Sequence, residues 1–194
     1  MEKLSPFFLC DNYYAGKEGA SLLNLDGSPL SNKDKDRLYI ADKKEIYVSL
    51  ILVRKLILIK EAFKRHNIGL VIKDGFRSLE LYEIIINMRR SKGLQVEGLI
   101  STDRQPHATG LAVDVTLFNL ETREGIWNRN QSKDGDGARF LGFYENATDP
   151  AGKEFHRIQR LMVETFGMYD MVPGRLNEVW HFELAGINEN TTRY

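Results

Sequence analysis

One stretch limits what this chain can become: Gln105-Pro106-His107-Ala108-Thr109-Gly110-Leu111-Ala112-Val113-Asp114-Val115-Thr116-Leu117. From Gly110 the residues alternate. Leu111, Val113 and Val115 point one way and Ala112, Asp114 and Thr116 the other, which is the period of a β-strand. A carboxylate in such a run either faces water or is held there for a purpose. Pro106 and Gly110 break the backbone around His107, so a turn can fold the imidazole back over the strand beside Asp114. Imidazole nitrogen and carboxylate oxygen are ligands of catalytic zinc, which takes three protein donors and keeps one open position. Two donors stand here; a third, and a base, must come from elsewhere in the chain.

With 194 residues the chain is expected to form a single domain, 1–194, large enough to bury a real core. Basic and acidic residues balance at 27 each, which argues against a nucleic-acid partner. A single cysteine, Cys10, excludes an intramolecular disulfide and a cysteine-based zinc site. The N-terminus lacks a basic region followed by an apolar core, and Arg54, Lys55 and Lys60 interrupt the greasiest segment, Tyr47 to Ile59. The expectation is a cytoplasmic protein without a membrane partner.

Residues 1–40 read as an irregular arm of short strands and turns, with Phe7, Phe8, Tyr13 and Tyr14 among glycines. Some of these aromatics could line a pocket. A helix is expected from about Lys43 to His66, because Val48, Ile51, Leu52, Leu56, Ile59 and Phe63 recur at helical spacing. Further apolar residues off that stripe suggest burial on more than one side. His66 in its last turn reads as structural. Gly69 to Lys73 reads as a strand broken at Asp74-Gly75, and Ser78 as the cap of a second helix through Met88. Arg77 falls at that junction. Leu94 to Ile100 suggests another short strand, and Asn119 to Asp149 a long loop. Asp149-Pro150 opens a third helix over Gly152 to Phe166, with Phe155, Ile158, Leu161, Met162, Thr165 and Phe166 inward and Gly167 as its C-cap. His156 reads as a helix-surface residue. Glu178 to Leu184 reads as a final strand.

On that strand His181 shares a face with Val179 and Glu183, whereas Glu178 points the other way. If both serve one site, Glu178 must lie where the strand begins, with Gly174 and Asn177 permitting a turn or bulge. His107, Asp114 and His181 are then three candidate metal ligands. Zinc held by three such donors lowers the pKa of a water at its fourth position toward 7. A carboxylate that is not a ligand, Glu178, can take that proton and return it to a leaving amine. An arginine facing the metal, Arg77, could stabilise an oxyanion.

The pattern His-x-x-Gly-x-Ala-x-Asp at His107 to Asp114, with Glu-x-Trp-His at Glu178 to His181, resembles the zinc D-alanyl-D-alanine dipeptidases. Their wider group includes D-alanyl-D-alanine carboxypeptidases, bacteriolytic endopeptidases and the hedgehog signalling domain. Asp74-Gly75-Phe76-Arg77 is similar to the Asp-Gly-Tyr-Arg of the dipeptidases, and the order of motifs agrees over roughly residues 45 to 185. The resemblance implies an α+β fold with a central antiparallel sheet flanked by helices. It implies one zinc per chain on His107, Asp114 and His181, Glu178 as general base and acid, and Arg77 polarising the scissile carbonyl.

Three positions depart from the family pattern. Gln105 stands where the dipeptidases usually have Ser, Ser78 where Pro follows the arginine, and Asp134 and Asp136 both compete for the acidic residue that holds the substrate ammonium. Tyr13-Tyr14-Ala15-Gly16-Lys17 is faintly similar to the family's N-terminal segment. The expected activity is hydrolysis of D-alanyl-D-alanine or a similar small D-amino-acid dipeptide. The rivals are a carboxypeptidase or endopeptidase acting on peptidoglycan peptides with the same machinery, and a zinc-bearing module without catalysis. The presence of both Glu178 and Arg77 argues against the last, because a structural site needs neither.

Overall fold

The alternating run around Asp114 becomes a central strand of a sheet. The computed structural model describes residues 1–16, 21–94, 96 and 105–186. Its strands and helices are, in order, β1 (Glu2–Lys3), β2 (Leu9–Cys10), α1 (Asn32–Arg37), β3 (Tyr47–Val48), α2 (Leu50–Lys64), β4 (Ile68–Asp74), α3 (Leu79–Ser91), β5 (Ala112–Asn119), β6 (Gly125–Ile126), α4 (Gln131–Asp134), α5 (Pro150–Gly167), β7 (Met171–Pro173) and β8 (His181–Leu184). Short 3-10 turns occupy Tyr13–Ala15, Pro106–Thr109 and Asp136–Arg139.

The main sheet runs β2-β4-β5-β8-β7, with β6 paired to β5. All its pairings are antiparallel except one: β2, from the N-terminal arm, runs parallel to β4. The fold is therefore mixed α+β, and the expected antiparallel sheet gains a parallel edge strand that the short Leu9–Cys10 pattern did not announce. The arm is less irregular than its composition suggests. Ser31 and Asp34 form a capping box for α1, and Leu4, Phe8, Leu22, Leu38 and Ile40 are buried.

One face of the sheet carries the core. Leu70, Ile72, Val113, Val115, Leu117 and Phe182 pack there with Leu52, Leu56, Ile59 and Phe63 of α2 and Ile158, Met162 and Phe166 of α5. A second cluster joins the arm to α3, through Leu22, Leu38 and Ile40 against Leu81, Tyr82, Ile84 and Ile85.

Several sequence expectations need correction. Helix α2 begins at Leu50, not near Lys43, because Tyr47 and Val48 pair with Lys3 and Glu2 as a strand and Ser49 turns the chain into the helix. Its burial is one-sided. Val53 is buried in the stripe where Ile51 was expected, and Leu50, Ile51 and Leu58 are each about half exposed. Gly167 belongs to α5, and the left-handed backbone that ends the region falls at Asp170. Phe155 and Leu161 are only partly buried, while Gln159 is enclosed. The stretch 119–149 contains β6, α4 and a 3-10 turn rather than one long loop. Most of the expected strand from Leu94 to Ile100 lies outside the described residues; Leu94 itself is in no strand. Among the described residues, no helix is long and apolar enough to cross a membrane.

Candidate metal centre

The face of the sheet away from α2 and α5 is built differently. Across β4, β5 and β8, Asp74 pairs with Asp114 and Asp114 with His181, so three ionisable side chains stand in a row. Asp74 joins that row through a register shift after Ile72. Ile72 faces the core, and without the bulge a residue two positions on would face it too. His107 reaches the row from the 3-10 turn Pro106–Thr109. Proline at its first position suits the turn, and Gly110 at φ 69° supplies the left-handed residue that ends it.

Three atoms converge. His107 Nε2 lies 3.1 Å from His181 Nδ1 and 3.4 Å from Asp114 Oδ1, and His181 Nδ1 lies 2.9 Å from Asp114 Oδ1. Ligands about 2.05 Å from a tetrahedral zinc sit roughly 3.3 Å from one another. The donor set thus fits zinc in type, number and spacing, and it is the one such group found among the described residues.

The surroundings fix which atoms face the centre. His107 Nδ1–H donates to the Gly75 carbonyl at 2.6 Å, which leaves Nε2 as the lone-pair nitrogen. His181 turns its other nitrogen, Nε2, toward the Glu183 carboxylate at 3.7 Å. Gly174 makes room for that ring: a Cβ there would lie 2.3 Å from His181 Cδ2. Burial works against the charged form of His181, but its hydrogen bond to Asp114 and the nearby Glu183 carboxylate outweigh it and raise the pKa to about 9. Burial also opposes the Asp114 carboxylate, yet His107 and His181 hold its pKa well below the usual range. Two imidazoles and one carboxylate converge on a single point, a donor set that a divalent cation complements.

Glu178 lies before β8, as the alternation required. Asn177 takes a left-handed φ of 52°, Glu178 bridges to Phe140, and a turn at Val179-Trp180 leads into the strand. Glu178 and the three donors line the same cavity, of about 720 Å³. Burial, then the Asp114 charge, pushes the Glu178 carboxyl up to about 7, and His181, Arg139 and Arg77 moderate the shift. A carboxylate with a pKa near 7 suits proton transfer at neutral pH.

Arg77 also lines this cavity, firmly held. Its Nε donates to Asp74 Oδ2 at 3.0 Å and its Nη2 pairs with the same oxygen. Nη2 also lies 3.8 Å from Asp114 Oδ2. The guanidinium lies 5.0 Å from the Tyr14 ring centre and 4.8 Å from that of Tyr82. Among the described residues, the hydrogen bonds and ion pairs of this side chain use Nε and Nη2 and none uses Nη1.

Gln105, Asp134 and Asp136 are not among the residues lining the cavity. Asp134 accepts from the Tyr144 hydroxyl at 2.8 Å and Asp136 from Gln131 at 2.7 Å. His156 and His66 lie away from it as well. Sequence reasoning missed Tyr82 and the two arginines Arg129 and Arg139, all of which line the cavity, and it gave Gly174 a turn role without the room it makes for His181. Glu183 had a visible signal, its alternation with His181; the arginines had none, because 119–149 shows no periodicity.

No family model and no curated protein matches the sequence. Among solved structures, the L-Ala D-Glu endopeptidase ChiX of Serratia marcescens is similar over 71% of this chain and 80% of that one, with 20% identity and a TM-score of 0.34. The chemistry described above rests on this chain's own residues.

Proposed function

We propose that this chain is a zinc-dependent peptidase, with D-alanyl-D-alanine or a similar small D-amino-acid dipeptide as its leading substrate. The observation that carries the reading is the convergence of His107 Nε2, His181 Nδ1 and Asp114 Oδ1 within 2.9–3.4 Å in the cavity that Glu178 lines. Bound there, zinc would supply Lewis acidity, activating a water and polarising a carbonyl oxygen.

The protein's own groups account for the rest. Glu178, raised to about 7, accepts the proton of the attacking water and returns it to the departing amine. Arg77 lines the cavity and, fixed by Asp74, offers a preorganised positive charge for the developing oxyanion. Gly75 and Glu183 orient the two imidazoles. The D-configuration of the substrate and the choice of zinc rest on the motif resemblance, and the cytoplasmic setting on the sequence of the N-terminus.

A second reading, a carboxypeptidase or endopeptidase on peptidoglycan peptides, is favoured by the size of the cavity. Its volume of about 720 Å³ exceeds what a two-residue peptide fills. Assays of zinc-loaded protein on free D-alanyl-D-alanine and on an acylated muropeptide separate the two. The peptidase proposal expects turnover of one of them that chelation abolishes and zinc restores. Turnover that survives complete zinc removal contradicts it.

A further inference from the structure

The 119–149 stretch delivers two arginines to the wall that carries Glu178. Backbone contacts hold them there. The Val179 N–H donates to the Arg139 carbonyl at 3.0 Å, and Phe140 bridges to Glu178. Asn128, next to Arg129, donates from its side chain to the Val179 carbonyl at 3.2 Å, while its own carbonyl accepts from the enclosed Gln159 at 2.9 Å. The segment around Glu178 is therefore tied to both arginine-bearing segments.

Their guanidinium groups are placed by ring contacts rather than by close ion pairs. Arg129 lies over the Trp180 ring at 4.1 Å and Arg139 over Phe140 at 4.7 Å. Elsewhere arginines pair with carboxylates: Arg37 with Glu80, Arg157 with Glu154, Arg160 with Glu164. Among the described residues neither Arg129 nor Arg139 has an ion pair or side-chain hydrogen bond, and Arg139 Nε is buried without a partner. Burial, and after it the nearby charge of Arg139, work against the charge on Arg129, while the neighbouring Glu178 carboxyl offsets them only in part. Glu178 is one carboxyl beside two guanidinium groups, so two partly desolvated like charges on a cavity wall leave room for a further anion. A guanidinium fork accepts a carboxylate by two parallel hydrogen bonds.

We propose that Arg129 and Arg139 form a carboxylate-binding subsite, and that the substrate is an anionic peptide whose free carboxylate docks there beside Glu178. The proposal rests on the peptidase reading of the metal centre. The carboxylate is either the peptide's C-terminus or an acidic side chain, since both offer the fork the same two oxygens.

Binding to the zinc-loaded Glu178→Gln protein, measured by calorimetry, tests this without relying on turnover. Three probes are compared: D-alanyl-D-alanine, its neutral C-terminal amide, and the α-amide of D-alanyl-D-aspartate, whose one carboxylate is on the side chain. At least one carboxylate probe should bind about tenfold more tightly than the neutral amide. Which one does so identifies the source. The advantage should disappear on adding Arg139→Gln or Arg129→Gln and partly return with Arg139→Lys, with zinc content and melting temperature unchanged as the folding control. Equal or absent binding of all three probes, or an advantage that survives both Gln variants, overturns the subsite. Failure of the peptidase reading appears separately, as wild-type protein that binds zinc and hydrolyses no peptide.

Discussion

On one face of the sheet, Val113, Val115 and Phe182 sit among aliphatic and aromatic side chains, with the Phe166 and Phe182 rings stacked at 3.9 Å. On the other face, one residue along the same strands, Asp114 and His181 sit among charges. The first face is complete in itself: its free energy comes from apolar area removed from water, and each side chain already has its neighbours. The second has a surplus. It brings three donor atoms to one point, a base with a raised pKa beside them, and two arginines that form no close ion pair among the described residues. Burying such groups costs free energy that pairs such as Asp74 with Arg77 offset only in part, as the raised Glu178 carboxyl and the unpartnered Arg139 Nε show, and this separates the half that makes the fold from the half that makes the site.

Mutations should respect that division. Glu178→Gln should lower kcat by about 10²–10⁴-fold while leaving one zinc per chain and an unaltered melting curve for the zinc-loaded protein. Turnover near that of the wild type would remove Glu178 from the proton-transfer role. Phe166→Ala, on the opposite face, should cost about 3–5 kcal/mol in chemical denaturation while the folded protein keeps its zinc affinity. A matching loss of zinc affinity would show that the two faces are not independent.

Gly174→Ala tests the boundary between them. The added Cβ collides with the His181 ring, so zinc affinity should fall about 10–100-fold with little change in the core. Unchanged affinity would mean that the ring is not held as described. Smaller still is a pH effect in zinc-free protein. The Glu178 carboxyl is raised from its ordinary 4.5 to about 7 in the folded state, so folding favours its protonated form. Its contribution is present below the unfolded pKa and is lost as pH rises through about 7. Zinc-free Glu178→Gln should therefore exceed the wild type in stability by about 1–2 kcal/mol near pH 8, with the gap closing toward pH 4. A gap independent of pH contradicts the shift. Ser78→Ala, which removes the acceptor for the Leu81 N–H, should cost about 1 kcal/mol.

What could be read in the sequence follows the same division in part. Helices α3 and α5 announce themselves through Ser78 and Asp149, whose side chains do cap them. The alternation around Asp114 correctly separates core-facing from site-facing positions, and it required a turn before His181 that Asn177 provides. Helix α2 was overextended because buried strand residues such as Val48 happen to continue its helical spacing. The site was legible where regular structure carried it. Arg129 and Arg139 were not, because tertiary hydrogen bonds to Val179 position them and no periodicity marks such contacts. Asp134 and Asp136 misled for the same reason: an acidic residue in a loop has no direction until the loop is folded.

The central claim is that His107, Asp114 and His181 hold one metal ion. Mass spectrometry and calorimetry of metal-free protein titrated with zinc test it most directly, beside the variants His107→Ala, Asp114→Asn and His181→Ala. The wild type should bind one zinc per chain and each variant at least about a hundredfold more weakly, with the far-ultraviolet spectrum retained. Wild-type protein that binds no zinc, or variants that bind it as tightly as the wild type, would contradict the claim.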